Sequence, residues 1–265
     1  MLLNYTYKMK LEFSGPVTDQ YFSLMCVPRD TQRQKAYVPE ITVNPEVRIL
    51  QDTDGLGNII IYGAASEPHE EFGITVKGRV ETFMSPHEEY ESPDSPELWR
   101  YRVMTLFTEP GPAVTSLFEQ CKAKAPDDDY GKVLYYAGVV RDALEYESGS
   151  TDSATTAEGA LCQGKGVCQD YAHLLISLLR MNGIPARYTV GLMQGEGESH
   201  AWAEANCSGY WYGIDPTNGL LVDENYIKFS HGRDYRDCMI SRGIFRNPLA
   251  KQAMNVSVLV RSAEQ

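Results

Sequence analysis

No apolar run in this 265-residue chain approaches the ~20 residues that a membrane-spanning helix needs. The first ten residues, Met1 to Lys10, lack the long apolar core of a secretory signal. Positive charge is scarce too. The chain carries 24 Lys and Arg against 36 Asp and Glu, a net charge of −12 with a pI of about 4.9. So acidic a protein is a poor partner for nucleic acid or for an anionic membrane. The six cysteines, at 26, 121, 162, 168, 207 and 238, form no Cys-x-x-Cys pair and match no disulfide framework. There is no Asp-x-Asp-x-Asp-Gly calcium loop and no internal repeat. Neither a metal nor a cofactor is therefore expected. The expected setting is soluble, reducing and cytoplasmic, where a free thiol survives.

What is present centres on Gly164-Lys165-Gly166-Val167-Cys168-Gln169-Asp170-Tyr171-Ala172. A Gly-rich approach runs into an apolar helix, with Tyr171, Ala172, Leu175, Leu178 and Leu179 as a stripe at spacings of three and four. Asn182-Gly183 and then Pro185 end it. Cys168 thus falls in the first helical turn, where free N–H groups and the positive end of the dipole favour an anion. The thiolate is the nucleophilic form of cysteine.

Downstream, Ser199 to Ala205 alternates like a half-buried strand, with His200, Trp202 and Glu204 on one face and small alanines on the other. Tyr210 to Asp215 reads as the returning strand. A two-residue Cys207-Ser208 turn would set His200 directly opposite Asp215, with Cα atoms about 4.5–5.5 Å apart. A carboxylate so placed holds an imidazole in one tautomer. His173 is offset around the helix from Cys168 and reads as structural. His69, His87 and His231 read as surface or loop residues, and Arg187 and Glu204 as ion-pair formers. Trp202 and Trp211 read as packing residues, with Trp202 a candidate cleft wall.

These motifs resemble the transglutaminase-like superfamily of papain-type cysteine enzymes. Its bacterial branch carries a Gly-x-Cys-x-Asp-(Tyr/Phe)-Ala helix start, a His-Ala-Trp strand and an Asp-Pro-Thr strand end. The matching stretches are Gly166 to Ala172, His200 to Trp202 and Asp215 to Thr217, joined by Gly183 to Tyr188 and Gly232 to Tyr235. The resemblance is densest over residues 110–245 and extends more weakly into the N-terminal part. It implies an α+β, papain-like catalytic domain over 109–265, with a Cys-bearing helix packed on an antiparallel sheet. An antiparallel β-domain, a sandwich or barrel, is expected over 1–108. The catalytic candidates are Cys168, His200 and Asp215. A papain-like enzyme also places a glutamine upstream as oxyanion donor, and Gln163 is the candidate for it.

The implied activity is cysteine-dependent acyl transfer through a thioester, with hydrolysis of a peptide or side-chain amide favoured. Transfer to an amine, as in a protein–glutamine γ-glutamyltransferase, is the alternative. A non-catalytic peptide-binding module is the reading from another class. In each case the partner is a peptide or protein.

The flanking segments are plainer. Tyr5 to Phe13 alternates strictly and predicts a strand that Gly15-Pro16 ends. Tyr21 to Val27, Ala36 to Val43, Asn58 to Tyr62 and Gly73 to Phe83 predict further strands. The acidic Ser85 to Pro96 segment reads as a solvated loop. Helices are predicted from Pro112 and over Val133 to Leu144. Thr155 to Glu158 reads as a capping box opening a short helix. Met254 to Val260 predicts a final strand.

Overall fold

The computed structural model describes residues 1–263. In chain order the first strands are β1 (Leu2–Leu24), β2 (Gln34–Ala36), β3 (Glu40–Asn44), β4 (Ile49–Thr53), β5 (Ile59–Ala65) and β6 (His69–Thr82). Helices α1 (Pro112–Cys121) and α2 (Asp129–Ala143) follow, then the short strand β7 (Glu145–Tyr146) and α3 (Ala157–Gln163). Next come β8 (Lys165–Gly166), α4 (Cys168–Met181), β9 (Ala186–Met193), β10 (Gly195–Gly197), β11 (His200–Cys207) and β12 (Tyr210–Asp215). The chain ends with β13 (Leu220–Leu221), β14 (Tyr226–Gly232), β15 (Ser241–Arg246) and β16 (Gln252–Ser262).

β1 is one strand of 23 residues, so Gly15-Pro16 does not end it. Its first half pairs with β6 and β16, and its second half with β5 and β15. The ladder to β6 slips between Glu12 and Val17. Proline cannot donate to a ladder, so here it marks a bend where the strand passes between sheets. The two halves enclose one apolar core, with Phe22 against Phe72 at 4.7 Å between ring centroids. All of these pairings are antiparallel.

The boundary expected at residue 108 does not split the chain into two consecutive blocks. β15 and β16 return after the second sheet and pair with β1. Alternation in β1 and β16 leaves a buried face on each, and pairing the two ends of the chain covers both.

The second sheet is antiparallel, in the order β13-β12-β11-β9-β14. α4 packs on one of its faces. Ala201, Ala203 and Ala205 of β11 join the core formed with Leu174, Leu175, Leu178 and Leu179 of α4. Small residues on the strand let the helix approach closely. α4 is buried over the whole of Asp170 to Arg180, not along one stripe, because α1, α2 and α3 cover the side that the sheet leaves open. The opposite face of the sheet meets the N-terminal strands, where Phe229 lies edge-on to Tyr5 and Tyr7 at 6.1 and 6.0 Å.

The acidic segment is a loop, as expected, but only partly solvated: Tyr90 and Ser92 to Asp94 are exposed, whereas Glu88 is buried. Glu88 N donates to Trp211 O and Trp211 N donates to Glu89 O, so the segment lies along the edge of β12. Glu88 is buried against Arg33 at 3.2 Å. Arg187, buried in the sheet, reaches Glu89 at 2.9 Å and Glu204 at 2.6 Å, and Lys228 reaches Glu204 at 2.7 Å. Burial opposes the charge on Glu204. The Arg187 guanidinium and the Lys228 ammonium overcome that and hold its carboxyl well below the ordinary range. His231, expected near the surface, is buried beside this cluster. Burial and the nearby cations keep it neutral.

The expected Thr155–Glu158 capping box does not form: the N-cap lies one residue later, and the residue three after it, Gly159, has no side chain to reach back. Thr156 caps α3 by accepting from Gly159 N at 3.1 Å. Glu158 turns away and accepts from Ala113 N and Val114 N, at 2.8 and 2.9 Å. It thereby satisfies two orphan donors at the start of α1, whose own N-cap residue, Gly111, has no side chain to do so.

Candidate active site

The Gly-x-Cys-x-Asp start of α4 has a physical reading. Asp170, in the first turn, accepts from Val167 N at 2.8 Å and from Thr151 Oγ1 at 2.6 Å. This closes the turn that places Cys168 at the first helical position. A Cβ on Gly166 would lie 2.7 Å from the Asp170 Cβ, so only glycine fits two residues before the thiol. Desolvation raises the Asp170 carboxyl above its ordinary value, while its hydrogen bonds pull the other way.

His200 opens β11 and Asp215 closes β12. The hairpin between them differs from expectation. Cys207 pairs with Tyr210 and Ala203 with Ile214, so the turn is Ser208-Gly209 and the register is displaced by two residues. Both turn residues have positive φ, 53° at Ser208 and 92° at Gly209, as a type I′ turn requires. Gly209 takes the second position at no steric cost; Cys207 would not. A shift of two preserves the face, so His200 and Asp215 remain on one side as diagonal neighbours.

His200 Nε2 lies 2.7 Å from Asp215 Oδ2. Asp215 is fully buried and heavily bonded. Oδ2 also accepts from Tyr226 Oη at 2.9 Å and from Asn218 Nδ2 at 2.7 Å. Oδ1 accepts from the backbone N–H groups of Thr217 and Asn218, at 3.0 and 3.2 Å. Burial works against its charge, but His200 and these donors hold the carboxyl below its ordinary range. Cys168 and His200 line the same two cavities, so the sulfur and the imidazole act on each other. Burial would lower the imidazole; the bond to Asp215 and the influence of the Cys168 sulfur outweigh it and carry His200 up to about 10.

Trp202 is fully buried and stacks near His200, at 6.4 Å and 28° between planes. It supports the imidazole from behind and is not a cleft wall. Gly191 pairs with His200 across β9 and β11, and a Cβ there would meet Ile227 O at 1.9 Å and the Trp202 ring at 2.8 Å.

Cys168 and His200 lie where two cavities meet, of about 230 and 340 Å³. Both are lined by Val167, Cys168, Glu198, Ser199 and His200. The N-terminal β-assembly builds the other wall. Tyr7, Met254 and Val256 line the smaller cavity, and Val258 the larger. A more voluminous groove of about 510 Å³ crosses the outer face of the large sheet, but no cysteine or histidine lines it.

The structure thus brings Cys168, His200 and Asp215 together and leaves Gln163 apart. Gln163 ends α3, is exposed, and lines neither cavity. Gly164, at φ 68°, caps α3 and turns the chain before it reaches Cys168. His173 is fully buried, stacked between Phe107 and Tyr188 at 4.9 Å from each, with Nε2 accepting from Tyr235 N. Burial and Arg180 lower it to about 3, so it stays neutral. Tyr226 and Asn218 were not anticipated. Asn218 had a local signal, since an Asp-Pro-Thr-Asn run favours an Asx turn; Tyr226 had none.

An α+β layer arrangement with a cysteine at a helix start, facing a His and an Asp on adjacent strands, defines the transglutaminase-like class. Residues 117–216 match the transglutaminase-like superfamily, and residues 3–81 match the bacterial transglutaminase-like N-terminal region. The chain belongs to this bacterial transglutaminase-like family. It is similar to an uncharacterized protein of Mycobacterium tuberculosis, 31% identical over 96% of this chain and 90% of the relative. A Mycobacterium leprae protein, also uncharacterized, is 30% identical over 88% of this chain and 89% of its own length. In fold the chain resembles a candidate cysteine protease from Cytophaga hutchinsonii, with a TM-score of 0.81 at 22% identity, covering 100% of this chain and 92% of that one. Among the described residues no helix is long and apolar enough to cross a membrane.

Proposed function

We propose that the protein is a cysteine peptidase or amidase, transferring an acyl group from a peptide or side-chain amide to water through a Cys168 thioester. The observation that carries this reading is the His200 imidazole, bonded at Nε2 to a buried, fully bonded Asp215 and in contact with the Cys168 thiol. The imidazole is held protonated near neutral pH, so it stabilises a thiolate and has a proton to give.

In this mechanism Cys168 Sγ attacks the carbonyl carbon, and the carbonyl π electrons move onto oxygen. As the oxyanion collapses, the C–N bond breaks and the departing nitrogen takes the proton from His200. Neutral His200 then draws a proton from water, whose oxygen attacks the thioester. The acid leaves, and the thiolate–imidazolium pair is restored. Asp215 keeps the ring in place throughout.

A peptide-shaped substrate fits the surroundings. β10 ends the large sheet, its residues Gly195 to Gly197 are exposed, and all three line the cavity shared with Cys168 and His200. An extended chain can pair with such an edge by backbone hydrogen bonds. That same exposure lets water reach the thioester.

The test is a peptide library incubated with the protein, with and without a primary amine, and read by mass spectrometry. Cleavage, or a gain of about one dalton by deamidation, is expected, and both should vanish in Cys168→Ala. Amine incorporation in preference to hydrolysis would make the protein an acyltransferase. The absence of any product would favour a binding module.

A further inference from the structure

Three tyrosines line the cavity of about 230 Å³ beside Cys168 and His200: Tyr7, Tyr188 and Tyr235. Tyr188 is 2% exposed, and its hydroxyl has no hydrogen-bond partner among the described residues. A buried phenol ordinarily finds one. The hydroxyls of Tyr5 and Tyr136 are unpaired too, but they are sealed inside the protein. That of Tyr188 keeps surface of its own, and it is the cavity that this surface meets. The sheet sets the direction of the side chain. Tyr188 pairs with Ala203 of β11, and directly opposed residues share a face. Ala203 packs against α4, so Tyr188 also points to the helix that carries the thiol. His173 stacks on its ring at 4.9 Å, and Tyr235 meets it edge-on at 6.4 Å. After burial, the Cys168 sulfur acts most strongly on the Tyr188 hydroxyl, with Asp170 of the same helical turn a weaker influence. All of them raise it, so it remains a donor. For Tyr7 that place is taken by Cys26, and for Tyr235 by Arg242.

We propose that Tyr188 is a catalytic oxyanion donor, its Oη–H bonding to the carbonyl oxygen of the substrate. The inference rests on the reading of Cys168 as nucleophile. When Sγ bonds to the carbonyl carbon, the π electrons move onto the oxygen, and Tyr188 donates its hydrogen bond to that charge. The electrons return to re-form the carbonyl as the leaving group departs, and the phenol keeps its proton throughout. The ring is already held in place, and Val190, Met254 and Val256 make the cavity walls largely apolar. A donor fixed in such surroundings acts without reorganisation when charge develops. The role expected of Gln163 thereby falls to a tyrosine on β9, in the sheet that carries His200.

Two reagents separate this role from a structural one. p-Nitrophenyl acetate acylates a thiolate through a tetrahedral oxyanion and releases p-nitrophenolate. Iodoacetamide alkylates it by direct displacement of iodide, with no oxyanion. Burst acylation and Cys168 alkylation are measured on the wild-type chain, Tyr188→Phe and Tyr136→Phe, each checked for an unchanged melting transition. Tyr188→Phe keeps the stacked ring and removes only the hydroxyl. Its acylation rate should fall about 10- to 100-fold, at or below the usual cost of one lost oxyanion donor, with alkylation within about twofold. Tyr136→Phe removes a sealed hydroxyl of the α2 core and should leave both rates unchanged. Equal losses in both reactions for Tyr188→Phe would mean that Tyr188 acts on the thiol, and unchanged acylation would mean that it does not touch the oxyanion. An acylation loss as large in Tyr136→Phe would mean that any core hydroxyl has this effect. Each of these results overturns the proposal. A wild-type chain with neither burst nor selective Cys168 labelling would instead remove the nucleophile reading, and the proposal with it.

Discussion

Asp215 reaches His200 across the β11–β12 hairpin at 2.7 Å although the two residues are not direct partners in its register. The diagonal reach leaves room for Tyr226 and Asn218 to bond the same carboxylate oxygen. Asp215→Asn keeps the size and removes the charge. It should lower kcat by about 10²–10⁴-fold with little change in KM, less than the loss from Cys168→Ala. Tyr226→Phe removes one hydrogen bond to the carboxylate and should cost about 2- to 10-fold. Steady-state kinetics on a cleaved peptide checks both. A Tyr226→Phe loss as large as that of Asp215→Asn would contradict the assignment of Asp215 as the group that steadies the imidazolium.

The raised His200 makes a signed prediction for stability. Its folded value, about 10, exceeds the ordinary unfolded value of about 6.5. Its contribution is therefore fully present below about pH 6.5 and is lost as pH rises towards 10. Asp215 runs the other way. Its lowered carboxyl contributes above about pH 3.9, and the contribution fades as pH falls further. Urea unfolding of wild type and His200→Ala at several pH values reads the first effect. The wild-type advantage should shrink steadily from pH 6.5 to 10. A constant difference would mean that His200 is not held protonated.

Much of this was readable before any coordinates, for reasons that particular residues make plain. The start of α4 is local: Gly166, Cys168 and Asp170 act within one turn, and so does the Asn182-Gly183 end. The nine-residue alternation of Tyr5 to Phe13 is likewise a local signal, and it lies within β1. What escaped was non-local. Gly15-Pro16 looks like a terminator unless one knows that β1 feeds two sheets. The acidic segment looks solvated unless Arg33, Arg187 and Trp211 are known to face it. The hairpin turn was misplaced by one residue, because Cys207-Ser208 and Ser208-Gly209 both fit the spacing and only the positive φ at Gly209 decides between them. The expected association of Cys168, His200 and Asp215 survived that error because a shift of two residues keeps the face.

Gly191 carries a prediction about the support behind the site. A Cβ there would overlap Ile227 O and crowd the Trp202 ring. Gly191→Ala should destabilise the fold by roughly 1–3 kcal/mol or more and displace the ring behind His200. Denaturant unfolding with activity assayed under folding conditions reads both effects. A variant of unchanged stability would mean that β9 and β14 separate more easily than their packing implies.

The pairing of Cys168 with His200 is tested most directly by competitive alkylation. Burial pushes the thiols of Cys26 and Cys207 up to about 12 and that of Cys238 well above its ordinary value, so all three are poor nucleophiles. The competition is then with Cys121 and the exposed Cys162. At pH 6 an ordinary thiol is under about 1% ionised, from a reference pKa of about 8.5. In the proposed mechanism an imidazolium at His200 stands beside the Cys168 thiolate. Iodoacetamide labelling at pH 6 and pH 9, followed by peptide mapping, is done on wild type and His200→Ala. Cys168 should dominate at pH 6, lose its lead at pH 9, and lose most of its pH 6 advantage in His200→Ala. If Cys168 reacts no faster than Cys162 at pH 6, or equally fast without His200, the account of the site as a thiolate–imidazolium pair is contradicted.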